Sequence, residues 1–241
     1  MKKVFIFMAL AAMVAVACSK PSQKKGNHNN DGDDVEYVQP IEVDGDFADW
    51  AKLDASKIAS AKLDPEADKT ALQEVKVYAD EVFVFVYIKF DKSQIEMEPD
   101  VEHVPFHMYI NGDGDAATGG YGDEFLDACS DIMLEGFLTD GTDFVSYEPS
   151  AWKWSGEANG TGWTWEETNV TNGFAKGAGK GSEYEFLLLR ELYPAGKLAD
   201  TFSIGFDIQQ GWESVGVLPI AHVTDENPSG YTNSLQVVTV K

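Results

Sequence analysis

Basic side chains are scarce in this chain. Its 18 Lys and Arg stand against 41 Asp and Glu, a formal net charge of −23 at pH 7. Nucleic-acid binders need a basic footprint, so this balance argues against DNA or RNA as a partner. It argues equally against electrostatic docking on anionic lipid head groups. Cysteine is scarcer still: Cys18 and Cys129 are the only two, too few for a disulfide framework. Helical periodicity is lacking beyond short turns expected at 46–53, 122–129 and 190–194. No internal repeat is visible. No nucleophile elbow, phosphate-cradling glycine loop or Cys-His pair appears, so no catalytic residue is singled out and no reaction is expected.

What is present begins with "MKKVFIFMALAAMVAVACSK". Two lysines, an apolar core of about a dozen residues and then small residues read as a secretory signal peptide, too short in its core for a comfortable membrane span. Ala15-Val16-Ala17-Cys18 resembles the lipobox of bacterial lipoproteins, which implies lipidation of Cys18 and removal of residues 1–17. Residues 18–36 are polar and read as a flexible tether. Residues 37–241 are expected to form a single domain in the cell envelope, lipid-anchored at the outer membrane, either periplasmic or surface-facing. With Cys18 carrying lipid, no intrachain disulfide remains possible, and Cys129 reads as a small buried residue.

Along that domain the apolar period is mostly two. "VKVYADEVFVFVYIKF" (75–90) reads as two strands joined by a tight turn at Ala79-Asp80-Glu81, the second apolar on both faces. Segments 104–110, 131–138, 143–148, 183–189, 202–208, 215–223 and 235–240 supply further strands between Gly, Asn, Asp and Pro clusters. About ten short strands with turn signals predict an all-β fold: a two-sheet antiparallel β-sandwich.

Three stretches carry candidate chemistry. In "IEVDGDFADWAKL" (41–53), Asp44-Gly45 predicts a tight turn, Asp46 caps a short helical turn, and Phe47 and Trp50 share an inward face. From Gln94 to Trp152 there is no Lys or Arg, against fourteen Asp and Glu. Within that span "NGDGDAATGGYGDE" alternates Asn111, Asp113 and Asp115 with glycines, as oxygen ligands at positions 1, 3 and 5 of a calcium loop do. Asp123 and Glu124 follow within reach. Ala116 and Gly122 break the EF-hand pattern, so the expectation is a structural calcium held by Asn111, Asp113, Asp115, Asp123 and Glu124. The competing reading is an Asp-Gly loop that stays in water.

The third stretch is "AWKWSGEANGTGWTWEE" (151–167). Trp152 and Trp154 share one strand face, as do Trp163 and Trp165. If Trp154 pairs with Trp163, Trp152 faces Trp165 and four indoles form one surface, with Trp212 and Glu213 as a further ring and carboxylate. Pyranose C–H faces lie on such rings while carboxylates and amides accept hydroxyls. The competing reading buries the rings in the sandwich. His103 and His107 fall on a strand about 13 Å apart, too far for one zinc.

Several of these stretches resemble carbohydrate-binding modules of family 9. The match is carried by "I-x-V-D-G-x-x-x-D-W" at 41–50, the paired strands ending at Asp91, "YINGDGDAATGGYGDEFLDACSDIMLEG", and "GSEYEFLLLRELYP". The resemblance implies a jelly-roll-like sandwich and a structural calcium. The functional expectation is a non-catalytic, glycan-binding envelope lipoprotein that captures oligo- or polysaccharide on aromatic rings. The alternative is a structural or partner-binding envelope lipoprotein with no sugar ligand.

Overall fold

Alternating apolar side chains build two antiparallel sheets that close face to face. The computed structural model describes residues 37–96, 104–122, 125–168, 173–191, 197–219, 225 and 233–241. The expected signal peptide, Cys18 and the tether lie outside the described residues, as do His103, Asp123 and Glu124. Strands are numbered along the chain. One sheet runs in the order β1 (Ala59–Lys62), β2 (Leu72–Ala79), β3 (Phe83–Phe90), β13 (Glu183–Leu189), β12 (Ala175–Lys180). The other runs β11 (Trp165–Thr168), β10 (Ser150–Trp154), β7 (Ile132–Phe137), β4 (Pro105–Asn111), β14 (Thr201–Gln210), β15 (Glu213–Leu218). The ten-residue β14 also pairs with β16 (Leu235–Val238), which takes the half of its edge that β15 leaves open. Two small hairpins, β5 (Gly120–Gly122) with β6 (Phe125–Ser130) and β8 (Thr139–Asp140) with β9 (Asp143–Phe144), complete the described strands.

The core lies between the sheets. Val84, Val86 and Ile88 of β3 and Tyr184, Phe186 and Leu188 of β13 meet Phe106, Met108 and Ile110 of β4 and Phe202, Ile204, Phe206 and Ile208 of β14. Phe106 stacks on Phe186 at 5.1 Å and 12°, and Tyr147 meets Phe186 edge-on at 4.9 Å, so aromatic pairs tie one sheet to the other. Each such ring contributes roughly 1.5–3 kcal/mol by leaving water.

The segment from Ile41 to Lys52 covers the outer face of the first sheet. Gly45 takes a φ of 83°, Asp46 accepts from the Ala48 N–H, and Trp50 is buried in a short 3₁₀ turn at Phe47–Lys52, as its sequence predicts. What holds the segment down is Glu185 of β13, which is fully buried. Its Oε1 accepts from the N–H of Asp44 (3.0 Å) and Gly45 (2.9 Å), and its Oε2 from Trp50 Nε1 (3.2 Å). Burial pushes the Glu185 carboxyl above the usual carboxylate range, while these three donors pull it back. Glu185→Gln keeps one acceptor but turns an NH₂ toward the Trp50 donor, and it also removes a charge that burial penalises. The expected cost is about 1–2 kcal/mol by urea unfolding.

The structure departs from the sequence expectations at three places. The turn predicted at 122–129 is strand: β6 pairs with β5 across Phe125–Ser130. The glycine-rich "AKGAGK" of β12, which strand propensity passes over, is a full strand against β13. A Cβ on Gly177 or Gly179 would come within 2.4 Å of the Tyr184 ring, so glycine is what lets that ring lie flat on its neighbour. Cys129, expected to be buried, is half-buried with a positive φ of 36°, its thiol 3.0 Å from Asn159 Oδ1. Among the described residues, no helix is long and apolar enough to cross a membrane.

Candidate functional site

The second sheet turns one face to the core and carries the candidate chemistry on the other. Its register lays out that outer face in rows. Phe137 of β7 stands opposite Pro105 of β4. In the next row Glu135 faces His107, which faces Asp207 of β14. In the row after that Glu167, Trp152, Met133, Tyr109 and Gly205 follow one another across five strands. Trp154 opposite Trp165 lies beyond it.

This register separates the tryptophans. Trp154 pairs with Trp165, not with Trp163, and Trp152 pairs with Glu167. The expected surface of four indoles therefore does not form. Trp165 is buried with Tyr109, Phe125, Met133 and Val217 in a second apolar cluster, and Trp152 and Trp154 pack against it. Trp154 meets Trp165 edge-on at 5.3 Å and donates from Nε1 to the Glu157 carbonyl. A Cβ on Gly120 or Gly156 would fall within 2.5 Å of the Trp154 ring, so backbone presses on that indole. The β5–β6 hairpin thus closes over this part of the face, with Phe125 6.0 Å from Tyr109. The hairpin loop slips by two residues from its expected register because its tip is packed. The Asn159 N–H donates to the Gly119 carbonyl, and Gly120 bridges Gly160.

Two indoles remain outside. Trp163 is 56% exposed and Trp212 is 54% exposed. They mark opposite ends of the sheet, since β4 alone spans about 20 Å between them. Trp163 sits at the end occupied by the 111–118 loop. Trp212 occupies the two-residue β14–β15 turn, where Gly211 (φ 57°) and Trp212 (φ 68°) both adopt positive φ. For a tryptophan that backbone costs about 1–2 kcal/mol. Its ring reaches back to Phe137, meeting it edge-on at 6.2 Å, with exposed Glu213 next in the chain.

One row inward from Phe137 lies a polar line that sequence reading did not pick out. His107, 2% exposed, donates from Nε2 to Glu135 Oε2 at 3.0 Å. Its Nδ1 is 3.8 Å from Asp207 Oδ2, beyond hydrogen-bonding distance, so that pairing is Coulombic. Asp207 is fully buried and accepts from Gln209 Nε2 (2.7 Å) and Ser214 Oγ (2.5 Å). Burial pulls the imidazolium down, but the Asp207 and Glu135 carboxylates outweigh it and push His107 up to about 9. Ser214 donates to the carboxylate and not to the imidazole, so no Ser-His nucleophile is assembled along this line. The available signal was His107 at an outward strand position amid acids. Its partners on β7 and β14 are remote in sequence.

The 111–118 loop is ordered by its own N–H groups. Asn111 Oδ1 accepts from Gly114, Asp113 Oδ1 from Asp115, and Asp115 Oδ1 from Ala117. Asp131, which entered no expected ligand set, accepts from the N–H of both Gly112 and Asp113 and from the Thr118 hydroxyl. Burial, with Asp113 nearby, holds its carboxyl above the usual range. Among the described residues no three His, Cys, Asp or Glu side chains gather as a metal would require. Of the expected calcium ligands, Asn111, Asp113 and Asp115 are thus seen closing turns, and Asp123 and Glu124 lie outside the described residues. Asp113, Asp115 and Asp131 each point a carboxylate oxygen at a backbone donor.

No protein-family model matches the chain, and no curated protein matches it. The resemblance to family 9 modules therefore rests on the spaced motifs themselves.

Proposed function

We propose that this chain is a non-catalytic glycan-binding lipoprotein of the cell envelope, held by lipid at Cys18, whose ligand surface centres on Trp212. The observation that supports this is a large indole left half in water on a backbone that penalises every residue but glycine and asparagine. Strain of that kind persists where the surroundings impose it, and it gathers at sites that touch ligands. Phe137 steadies the ring edge-on, leaving a face free to lie against a pyranose, and Glu213 stands beside it as an acceptor. Trp152, Trp154 and Trp165, first expected on the same platform, serve the fold in this reading.

Affinity electrophoresis in gels containing plant and bacterial polysaccharides tests the proposal. At least one polymer is expected to retard the protein, and Trp212→Ala is expected to weaken that retention about tenfold, in line with the loss of one stacked ring. Retention unchanged by Trp212→Ala would sink the assignment. Acrylamide quenching gives an independent check, neutral acrylamide being chosen because the protein's charge repels iodide. With two of six tryptophans exposed, about a third of the emission should quench readily, and Trp212→Ala should remove about half of that fraction.

A further inference from the structure

The surroundings of Trp212 restrict what can bind there. Glu213 adjoins the ring in sequence, and Glu96 is tied to the same hairpin through its N–H to Gln210 Oε1 at 2.8 Å. Glu135 lies one row inward from Phe137, about 7 Å along β7 on the same face. All three are acids, and the molecule as a whole carries −23. A uronate, sulfate or phosphate group approaching this end of the sheet meets these three carboxylates as like charges.

Glu135 differs from the other two acids in being fixed. Its side chain is 22% exposed, and Oε2 is held by His107, itself buried and flanked from the far side by Asp207. That leaves Oε1 as an oriented acceptor on the same strand face as Phe137, two residues along β7. An oriented acceptor recognises adjacent hydroxyls without first giving up side-chain entropy. The line His107–Asp207–Gln209–Ser214 behind Glu135 supplies that orientation.

We propose that the Trp212–Phe137 surface takes a neutral pyranose and that Glu135 is the carboxylate that accepts its hydroxyls, with His107 as its positioning residue. This rests on the glycan-binding reading above and adds the ligand's charge class and the second contact. The geometry makes Glu135 a specificity determinant: it favours hydroxyl donors and repels acidic sugars.

The test is isothermal titration of the detergent-solubilised protein with three probes: β-1,4-linked glucose hexaose, β-1,4-linked xylose hexaose and hexagalacturonate. One neutral hexaose is expected to bind at least tenfold more tightly than hexagalacturonate. Glu135→Gln should weaken the neutral hexaose about tenfold, as loss of a charged acceptor does, and narrow its advantage over the uronate. His107→Gln should weaken the neutral hexaose by a smaller factor, and because it removes the imidazolium's positive charge beside Glu135 it should leave hexagalacturonate binding no stronger. Weaker binding of the neutral hexaose by a variant that still folds is a readout that a purely structural histidine would leave unmoved. Glu135→Asp, which keeps the charge but withdraws the carboxylate by a methylene, should weaken the neutral hexaose while preserving discrimination, and it stands in if Glu135→Gln does not fold. Equal affinity for hexagalacturonate, or wild-type affinity in both Glu135 variants, overturns the proposal. If Trp212→Ala abolishes binding while the Glu135 variants bind normally, only the carboxylate assignment fails. If neither neutral hexaose binds, this proposal fails, and the glycan reading fails with it only if no polysaccharide retards the protein.

Discussion

Replacing Arg190 with alanine is expected to lower folding stability by about 3–5 kcal/mol, the largest single-site loss anticipated for this protein. Arg190 is 1% exposed at the end of β13. Its Nη1 donates to the Asp80 carbonyl in the β2–β3 turn (2.8 Å), and its Nη2 to the carbonyls of Leu198 (2.8 Å) and Ala199 (2.9 Å), just before β14. One guanidinium therefore fastens a turn of the first sheet to the lead-in of the second sheet's longest strand. Burial lowers the pKa of Arg190, while nearby acids, Asp200 first among them, offset part of that penalty. Asp200 Oδ1 is 4.0 Å away, so it contributes charge without a short contact. Alanine would leave three carbonyls short of a donor and open a hole where the side chain lay. Arg190→Lys should fall between, since a single ammonium lacks the fork that reaches both sides. Urea unfolding monitored by tryptophan emission measures both variants. A loss below about 1 kcal/mol for the alanine variant would mean that the guanidinium is not a fastening at all.

The second large effect needs no mutation. His107 holds its proton up to about pH 9 in the folded chain, against an ordinary value of 6.5. Between those values the folded state binds more protons than the unfolded one, so stability must fall as pH rises. The contribution is fully present below about 6.5 and is lost as pH climbs through about 9. A difference of that size corresponds to something on the order of 3 kcal/mol. The groups facing the imidazole are Glu135 from β7 and Asp207 from β14, both acids, so nothing on either strand opposes the trend. Urea midpoints taken from pH 6 to pH 9.5 should therefore decline, and His107→Gln should flatten that decline while lowering the midpoint at pH 6. A wild-type midpoint that is level across the window would contradict a charged, doubly flanked His107.

How much of this could be read from sequence varies from element to element. Strands β2, β3, β4, β13 and β14 follow alternation visible in "VKVYADEVFVFVYIKF" and its counterparts, and the Asp44–Trp50 turn follows from its cap and its i, i+3 pair. The helical turn expected at 122–129 gives way to β6 because pairing with β5, which the local sequence does not reveal, decides the matter. Trp212 was legible as a candidate ring. The pairing of Trp154 with Trp165 was not, because any even shift keeps the same face patterning, and only the packed tip around Asn159 and Gly160 selects one register.

The order of amino acids by itself determined that this chain makes strands, that those strands close as a sandwich, and that its summed charge is strongly negative. Those properties follow from side-chain period and from summed charge, both local or additive. Only tertiary structure decided which indoles face water, that Glu185 and Arg190 are buried fastenings, and that His107 lies between Glu135 and Asp207. Each of those depends on which strands become neighbours, and neighbours far apart along the chain leave no mark in the pattern of either one.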